Sequence, residues 1–192
     1  MPQTRITEIR SLVVAAAFAA LTGVGAWISI PLSAVPITLQ VLFVYLAGLL
    51  LPPRYAFLSM IIYLLMGIIG LPVFASGGSG IAVVVGPTGG YLFGFAVAAF
   101  IISALTQRLR REAKRLRYFA VVSWCIGALV VGAVVIFSMG AGWGKISTGL
   151  AWEAIITGWV LPFIPGDLVK MAVATVIASE VWRRDLVPTE VR

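Results

Sequence analysis

Apart from Lys145 and Lys170, every basic residue of this chain lies near one of its ends or in alternate gaps between apolar runs of membrane-span length. That pattern constrains the fold more than any single motif. A backbone inside hydrocarbon must satisfy its own hydrogen bonds, so predominantly apolar runs of about 20 residues form helices. The runs read as spans at 11–30, 37–51, 55–71, 90–106, 118–137 and 166–182, an all-α integral membrane bundle of six transmembrane helices in one domain covering 1–192. With six spans, Arg5, Arg10, Arg54, Arg108, Arg110, Arg111, Lys114, Arg115, Arg117, Arg183, Arg184 and Arg192 share one side. The positive-inside rule assigns that side, with both termini, to the cytoplasm. An odd number of spans would export one group of arginines. The first run follows Arg5 and Arg10 but is span-length, lacks a convincing small-x-small cleavage site before Pro31 and is followed by further spans, so it reads as a retained helix and not a cleaved signal.

Composition narrows the chemistry. The chain is 61% hydrophobic and 11% charged, far from the roughly 25% charged profile of a soluble domain. It contains no His and a single Cys, Cys125, which excludes histidine general-base catalysis, His or Cys/His metal sites and a disulfide framework. No metal and no cofactor is expected. The net charge of +7 follows from the one-sided placement of arginine and does not mark a nucleic-acid face. An integral membrane enzyme would need clustered acids and bases, and Asp167 with Glu153 is a thin set; no catalytic residue is assigned.

Breakers divide the rest. Pro31 and Pro36 interrupt the chain between the first two spans, and Pro52-Pro53 ends the second. A Gly/Ser segment follows Pro72-Val73-Phe74. Gly140, Gly142, Gly144 and Gly149 read as a loop containing Trp143 and Lys145, followed by an amphipathic or partly inserted helix at 151–161. Pro162 and Pro165 break that helix, and Pro165-Gly166-Asp167 reads as the start of the last span.

Sorting charges by side leaves Lys145, Glu153, Asp167 and Lys170 without a topological role. A charge in a span costs about 2.5–3.5 kcal/mol on insertion scales, so Asp167 and Lys170 need partners or a polar ligand. Their i, i+3 spacing puts them on one helix face. Two readings stand: an internal ion pair that orients the last helix, or a binding pair for a small, polar, anionic molecule. Thr38 and Gln40 lie where the chain re-enters the membrane. Thr88, Gly89, Gly90 and Tyr91 expose backbone before the fourth span. The 86–91 segment lacks the Gly-Lys-Ser/Thr ending of a P-loop, and Gly86/Gly90 and Gly90/Gly94 are also small-xxx-small packing pairs. Trp27, Trp143, Trp152, Trp159, Tyr91 and Phe163 are either pocket walls or interfacial aromatics, whereas Trp182 beside Arg183-Arg184 reads as interfacial. Ala15, Ala16, Ala19 and Ala20 form a smooth strip on the first helix.

Four segments in this order and spacing resemble the BioY family: Val35-Pro36-Ile37-Thr38-Leu39-Gln40, Gly70-Leu71-Pro72-Val73-Phe74, Gly86-Pro87-Thr88-Gly89-Gly90-Tyr91-Leu92, and Pro165-Gly166-Asp167-Leu168-Val169-Lys170. That family comprises the biotin-specific S components of energy-coupling-factor (ECF) transporters. The resemblance implies a six-helix S component of a prokaryotic inner or plasma membrane, with a biotin pocket toward the outer side under the loop joining helices one and two. It implies that Asp167 and Lys170 are the principal polar contacts, assisted by Gln40, Thr38 and the segment Thr88, Gly89, Gly90, Tyr91. The strip Ala15, Ala16, Ala19, Ala20 resembles the surface that docks onto the transmembrane (T) component, which works with cytoplasmic ABC-type ATPases. The alternative is a self-sufficient secondary transporter or channel for a small anionic metabolite, with Asp167 as an ion-coupled carboxylate.

Overall fold

A helix that is apolar all round belongs inside a bundle. The second apolar run is of that kind, and its position organises the fold. The structure is a computed structural model and describes residues 2–30, 35–113 and 115–184, with side chains from Glu8 onward. The side chain of Arg5 and the residues Pro31, Leu32, Ser33, Ala34, Lys114 and Arg192 lie outside the described residues. In chain order the helices are α1 (Pro2–Trp27), α2 (Gln40–Leu50), α3 (Pro53–Ile68), the short α4 (Ile81–Val85), α5 (Gly89–Glu112), α6 (Tyr118–Thr148), the short α7 (Trp152–Ile155) and α8 (Ile164–Arg183). A two-stranded antiparallel hairpin, β1 (Ser29–Ile30) and β2 (Ile37–Thr38), joins α1 to α2. Helix α2 touches α1, α3, α5, α6 and α8 and is the central element, with the others ranged around it.

Four helical stretches are long and apolar enough to cross a membrane: Glu8–Trp27, Gly89–Glu112, Tyr118–Thr148 and Trp152–Arg183. Gln40–Leu50 and Pro53–Ile68 are shorter apolar helices. At 1.5 Å per residue α2 is only about 16 Å long, about half the hydrocarbon thickness. Its surroundings hide this shortfall from lipid. The outside of the bundle is apolar: Val13, Phe119, Val134, Ile146 and Val169 are all largely exposed, as a lipid-facing surface requires.

Contacts at the helix ends place the basic segments together. Arg110, near the end of α5, donates from Nη2 to the Leu51 carbonyl at 2.8 Å, and Ser103 Oγ donates to the same carbonyl. Pro52 and Pro53 follow Leu51 and have no N–H of their own, so side chains complete the end of α2. The Arg183 guanidinium lies 5.2 Å from the centre of the Tyr118 ring, which brings the end of α8 to the start of α6. At the opposite end Trp27 Nε1 donates to the Pro72 carbonyl at 2.9 Å.

Several expectations change. The glycine-rich stretch at 140–149 is not a loop but the last third of α6, and only Gly149, with φ +70°, ends the helix. Two of the other glycines make room for rings: a Cβ on Gly140 would fall 2.4 Å from the Tyr91 ring, and one on Gly144 2.4 Å from the Trp159 ring. Nor do Pro162 and Pro165 separate two helices. A π-helical turn (Ile156–Val160) and a 3-10 turn (Leu161–Phe163) join α7 to α8. Changing the helical pitch puts each proline in the first turn of its segment, where no N–H is needed. The first helix stops at Trp27 because Ser29 and Ile30 pair with Thr38 and Ile37, and the second starts only at Gln40. Ala15 and Ala19 are fully buried in this bundle; Ala16 and Ala20 alone of the alanine strip are exposed. Trp182 is 4% exposed and faces the interior, not the interface.

Candidate functional site

Because the central helix is short, the ring of longer helices leaves a space above its N-terminus. The structure has a cavity of about 150 Å³ there. The first residues of α2, Gln40 and Val41, line its lower end, so the positive end of the helix dipole faces it. Val35, Pro36 and Thr38 reach it from the hairpin side, Ala75 and Val83 from the segment after α3, Thr88, Tyr91, Leu92 and Phe95 from α5 and its cap, Ile136 and Phe137 from α6, and Phe163, Asp167 and Lys170 from the start of α8. Most of this wall is aliphatic or aromatic. The polar groups are few and come from different elements, the usual composition of a small-molecule site.

Asp167 and Lys170 are 3% and 6% exposed. Their ion pair is short, with Lys170 Nζ donating to Asp167 Oδ1 at 3.0 Å. The second carboxylate oxygen is also engaged: the buried Tyr45 hydroxyl of α2 donates to Asp167 Oδ2 at 2.9 Å. Two charges at this depth are tolerable because each has a partner. Lys170 still has two of its three N–H donors available to cavity oxygens, and each carboxylate oxygen has a further lone pair.

Gln40 is oriented in the same way. Thr38 Oγ1 donates to Gln40 Oε1 at 2.8 Å, and Gln40 Nε2 donates to the Tyr63 hydroxyl of α3. One amide N–H remains. Tyr63 is itself packed edge-on against Phe74, centroids 5.6 Å apart, and the Phe74 ring covers Gly67 so closely that a Cβ there would lie 2.0 Å away. The Gly70-Leu71-Pro72-Val73-Phe74 motif thereby pins the segment that carries Ala75 into the cavity wall. Tyr91 donates its hydroxyl to the Trp159 carbonyl in the π turn at 2.5 Å and stacks on Phe163 at 6.2 Å. The irregular turns before α8 thus fix two aromatic walls.

The sequence-derived candidates divide clearly. Asp167, Lys170, Gln40, Thr38, Thr88 and Tyr91 converge on one cavity. Gly89 and Gly90 do not line it: a Cβ on Gly89 would lie 1.8 Å from the Val84 carbonyl oxygen, and one on Gly90 2.3 Å from that of Met139. Their role is close packing, and Gly94 likewise meets Ile136 on α6. Of the aromatic candidates Phe163 and Tyr91 are walls, whereas Trp27 and Trp152 are more than half exposed. Trp143 instead donates Nε1 to the Gly86 carbonyl at 2.9 Å. Lys145 donates to the Leu150 carbonyl, and Glu153 is exposed and not part of the cavity. Tyr45 and Tyr63 escaped sequence reasoning because a tyrosine within an apolar run reads as core. Among the described residues no group of His, Cys, Asp and Glu is placed to hold a metal ion.

Fold and site together define a polytopic membrane protein that encloses a small, polar-ended cavity between its helices. The profile of the BioY family matches residues 1–185, and the chain belongs to that family. It is 44% identical over 170 residues to the biotin transporter BioY of Thermotoga maritima, covering 88% of this chain and 94% of that one. It is 43% identical over 164 residues to the probable biotin transporter BioY of Pyrococcus horikoshii, covering 85% and 91%. The fold matches the crystal structure at 2.1 Å of the S-component for biotin from an ECF-type ABC transporter, with a TM-score of 0.77 and 28% identity over 91% of each chain.

Proposed function

We propose that this chain takes up biotin as the S component of an ECF transporter and performs no bond chemistry. The observation that supports this most directly is the match between cavity and ligand. Biotin carries a ureido group with two N–H donors and one carbonyl, an apolar thioether ring and a carboxylate tail. Asp167 accepts ureido N–H bonds, and Lys170 donates to an oxygen, the ureido carbonyl or the tail carboxylate. Gln40, Thr38 and Thr88 supply further polar contacts, and Tyr91, Leu92, Phe95, Phe137 and Phe163 cover the apolar ring. Asp167 is tied to both Lys170 and Tyr45, an arrangement that presents a fixed acceptor to a ligand.

Both termini face the cytoplasm in this reading, in line with the basic residues gathered at one end of the bundle. Capture is at the outer face. Energy comes from a T component and cytoplasmic ABC-type ATPases, against which the exposed Ala16 and Ala20 face of α1 docks. Calorimetry of the purified protein with biotin, desthiobiotin and thiamine tests the assignment. Saturable heat is expected with biotin and none with thiamine; absence of biotin binding at micromolar protein overturns it.

A further inference from the structure

Tyr45 lies outside the cavity lining and is fully buried, yet its hydroxyl holds one oxygen of the carboxylate that faces the ligand space. Without it Asp167 would be tethered only at Oδ1, to a lysine on its own helix three residues on. An i, i+3 pair constrains the carboxylate through two flexible side chains of one helix. Tyr45 adds a rigid, ring-borne donor from a different helix, the central α2, and so fixes the carboxylate against rotation about its last bond. Charge-assisted hydrogen bonds of this kind are short, directional and stronger than neutral ones. The same helix presents Gln40 at the cavity floor, so one rigid element sets the spacing between the two acceptor and donor groups.

We infer that Tyr45 is a positioning residue for ligand recognition: its hydroxyl aims the Asp167 carboxylate so that the remaining lone pairs meet the N–H donors of a bound ligand. The inference rests on the biotin reading above for its affinity readout. Its other readout does not.

Tyr45→Phe removes only the hydroxyl. Biotin affinity, measured by calorimetry, is expected to fall about ten-fold, the effect of one ligand bond to a carboxylate no longer aimed at it, while the unliganded protein elutes as the parent does and melts somewhat lower for the lost internal bond. In ligand-free protein, the infrared difference between the parent and Asp167→Asn locates the Asp167 carboxylate band, and Tyr45→Phe is expected to shift it. Val44→Ala, a change at the adjacent buried residue of α2, serves as the packing control and should move neither band nor affinity beyond two-fold. An unmoved band in Tyr45→Phe, or biotin affinity within two-fold of the parent, overturns the role given to Tyr45. Failure of the parent to bind biotin overturns the functional reading instead, and the band still decides the positioning claim. If loss of the hydroxyl unfolds the bundle, 3-fluorotyrosine installed at position 45 keeps the group in place and alters only its donor strength; an unchanged band there is equally fatal.

Discussion

Asp167 and Lys170 are both an ion pair and part of the cavity wall, and charge removal separates the two roles. Asp167→Asn leaves the Lys170 ammonium buried with no counter-charge, and Lys170→Met does the same to the carboxylate. Breaking a buried pair on one side costs about 3–5 kcal/mol, whereas replacing both members by groups of similar volume is often neutral or stabilising. Each partner here is more than nine-tenths buried and the pair is 3.0 Å long, so the upper part of that range applies. Asp167→Asn/Lys170→Met should therefore regain the thermal stability that each single variant loses. Binding should not return. Two charge-assisted bonds of about 1.5–3 kcal/mol each are gone, and at about 1.4 kcal/mol per ten-fold this amounts to at least about a hundred-fold loss in biotin affinity. The assay is a melting curve in detergent beside a calorimetric titration for the parent and the three variants. A double variant that is stable and still binds biotin within ten-fold would reduce the pair to a device for orienting α8 and refute the site.

Three further outcomes are expected. Ala16→Trp with Ala20→Trp, on the exposed face of α1, should abolish co-purification with the T component and spare biotin binding, whereas Ala15→Trp with Ala19→Trp should unfold the bundle; equal effects of both pairs would show that the docking face lies elsewhere. Gly140→Ala presses on the Tyr91 ring and should cost about 1–3 kcal/mol of stability together with measurable biotin affinity. Gly142→Ala faces open space in the same helix and should be neutral or stabilising by up to about 1 kcal/mol; a melting series reads both. A cysteine introduced at either terminus, in a background where Cys125 is replaced by Ala, should react with impermeant maleimide only after cells are opened, and labelling of intact cells would reverse the proposed orientation.

What was legible in the sequence was whatever is chemically out of place in hydrocarbon. A carboxylate and an ammonium in a span stand out, and Asp167 and Lys170 do face one cavity. Gln40 and Thr38 stood out at the re-entry point for the same reason. Residues whose role depends on what lies opposite them were not legible. Gly140 and Gly144 look like loop residues until Tyr91 and Trp159 are seen seated on them, and Ala15 and Ala16 look alike until the helix is placed. Tyr45 and Tyr63 are indistinguishable from core tyrosines by composition, since only their partners 122 and 23 positions away give them a role. The prolines of the last third misled because the rule for an α-helix does not anticipate a π turn followed by a 3-10 turn.

The truncated central helix has one more consequence. It fills the bundle beneath the cavity, and at its far end Leu51 is closed off by Arg110 and Ser103. In outline the molecule is a cup with a solid floor. Among the described residues, the space below the cavity is filled by the buried Val44, Tyr45, Leu46, Ala47, Leu49 and Leu50 of α2, so an ion that enters meets packed side chains along the bundle axis. If the cup reading holds, cargo is expected to cross by a reorientation of the bundle and not by a channel through it, and a protein of this shape inserted alone into a sealed vesicle should hold its ligand without leaking protons or salt.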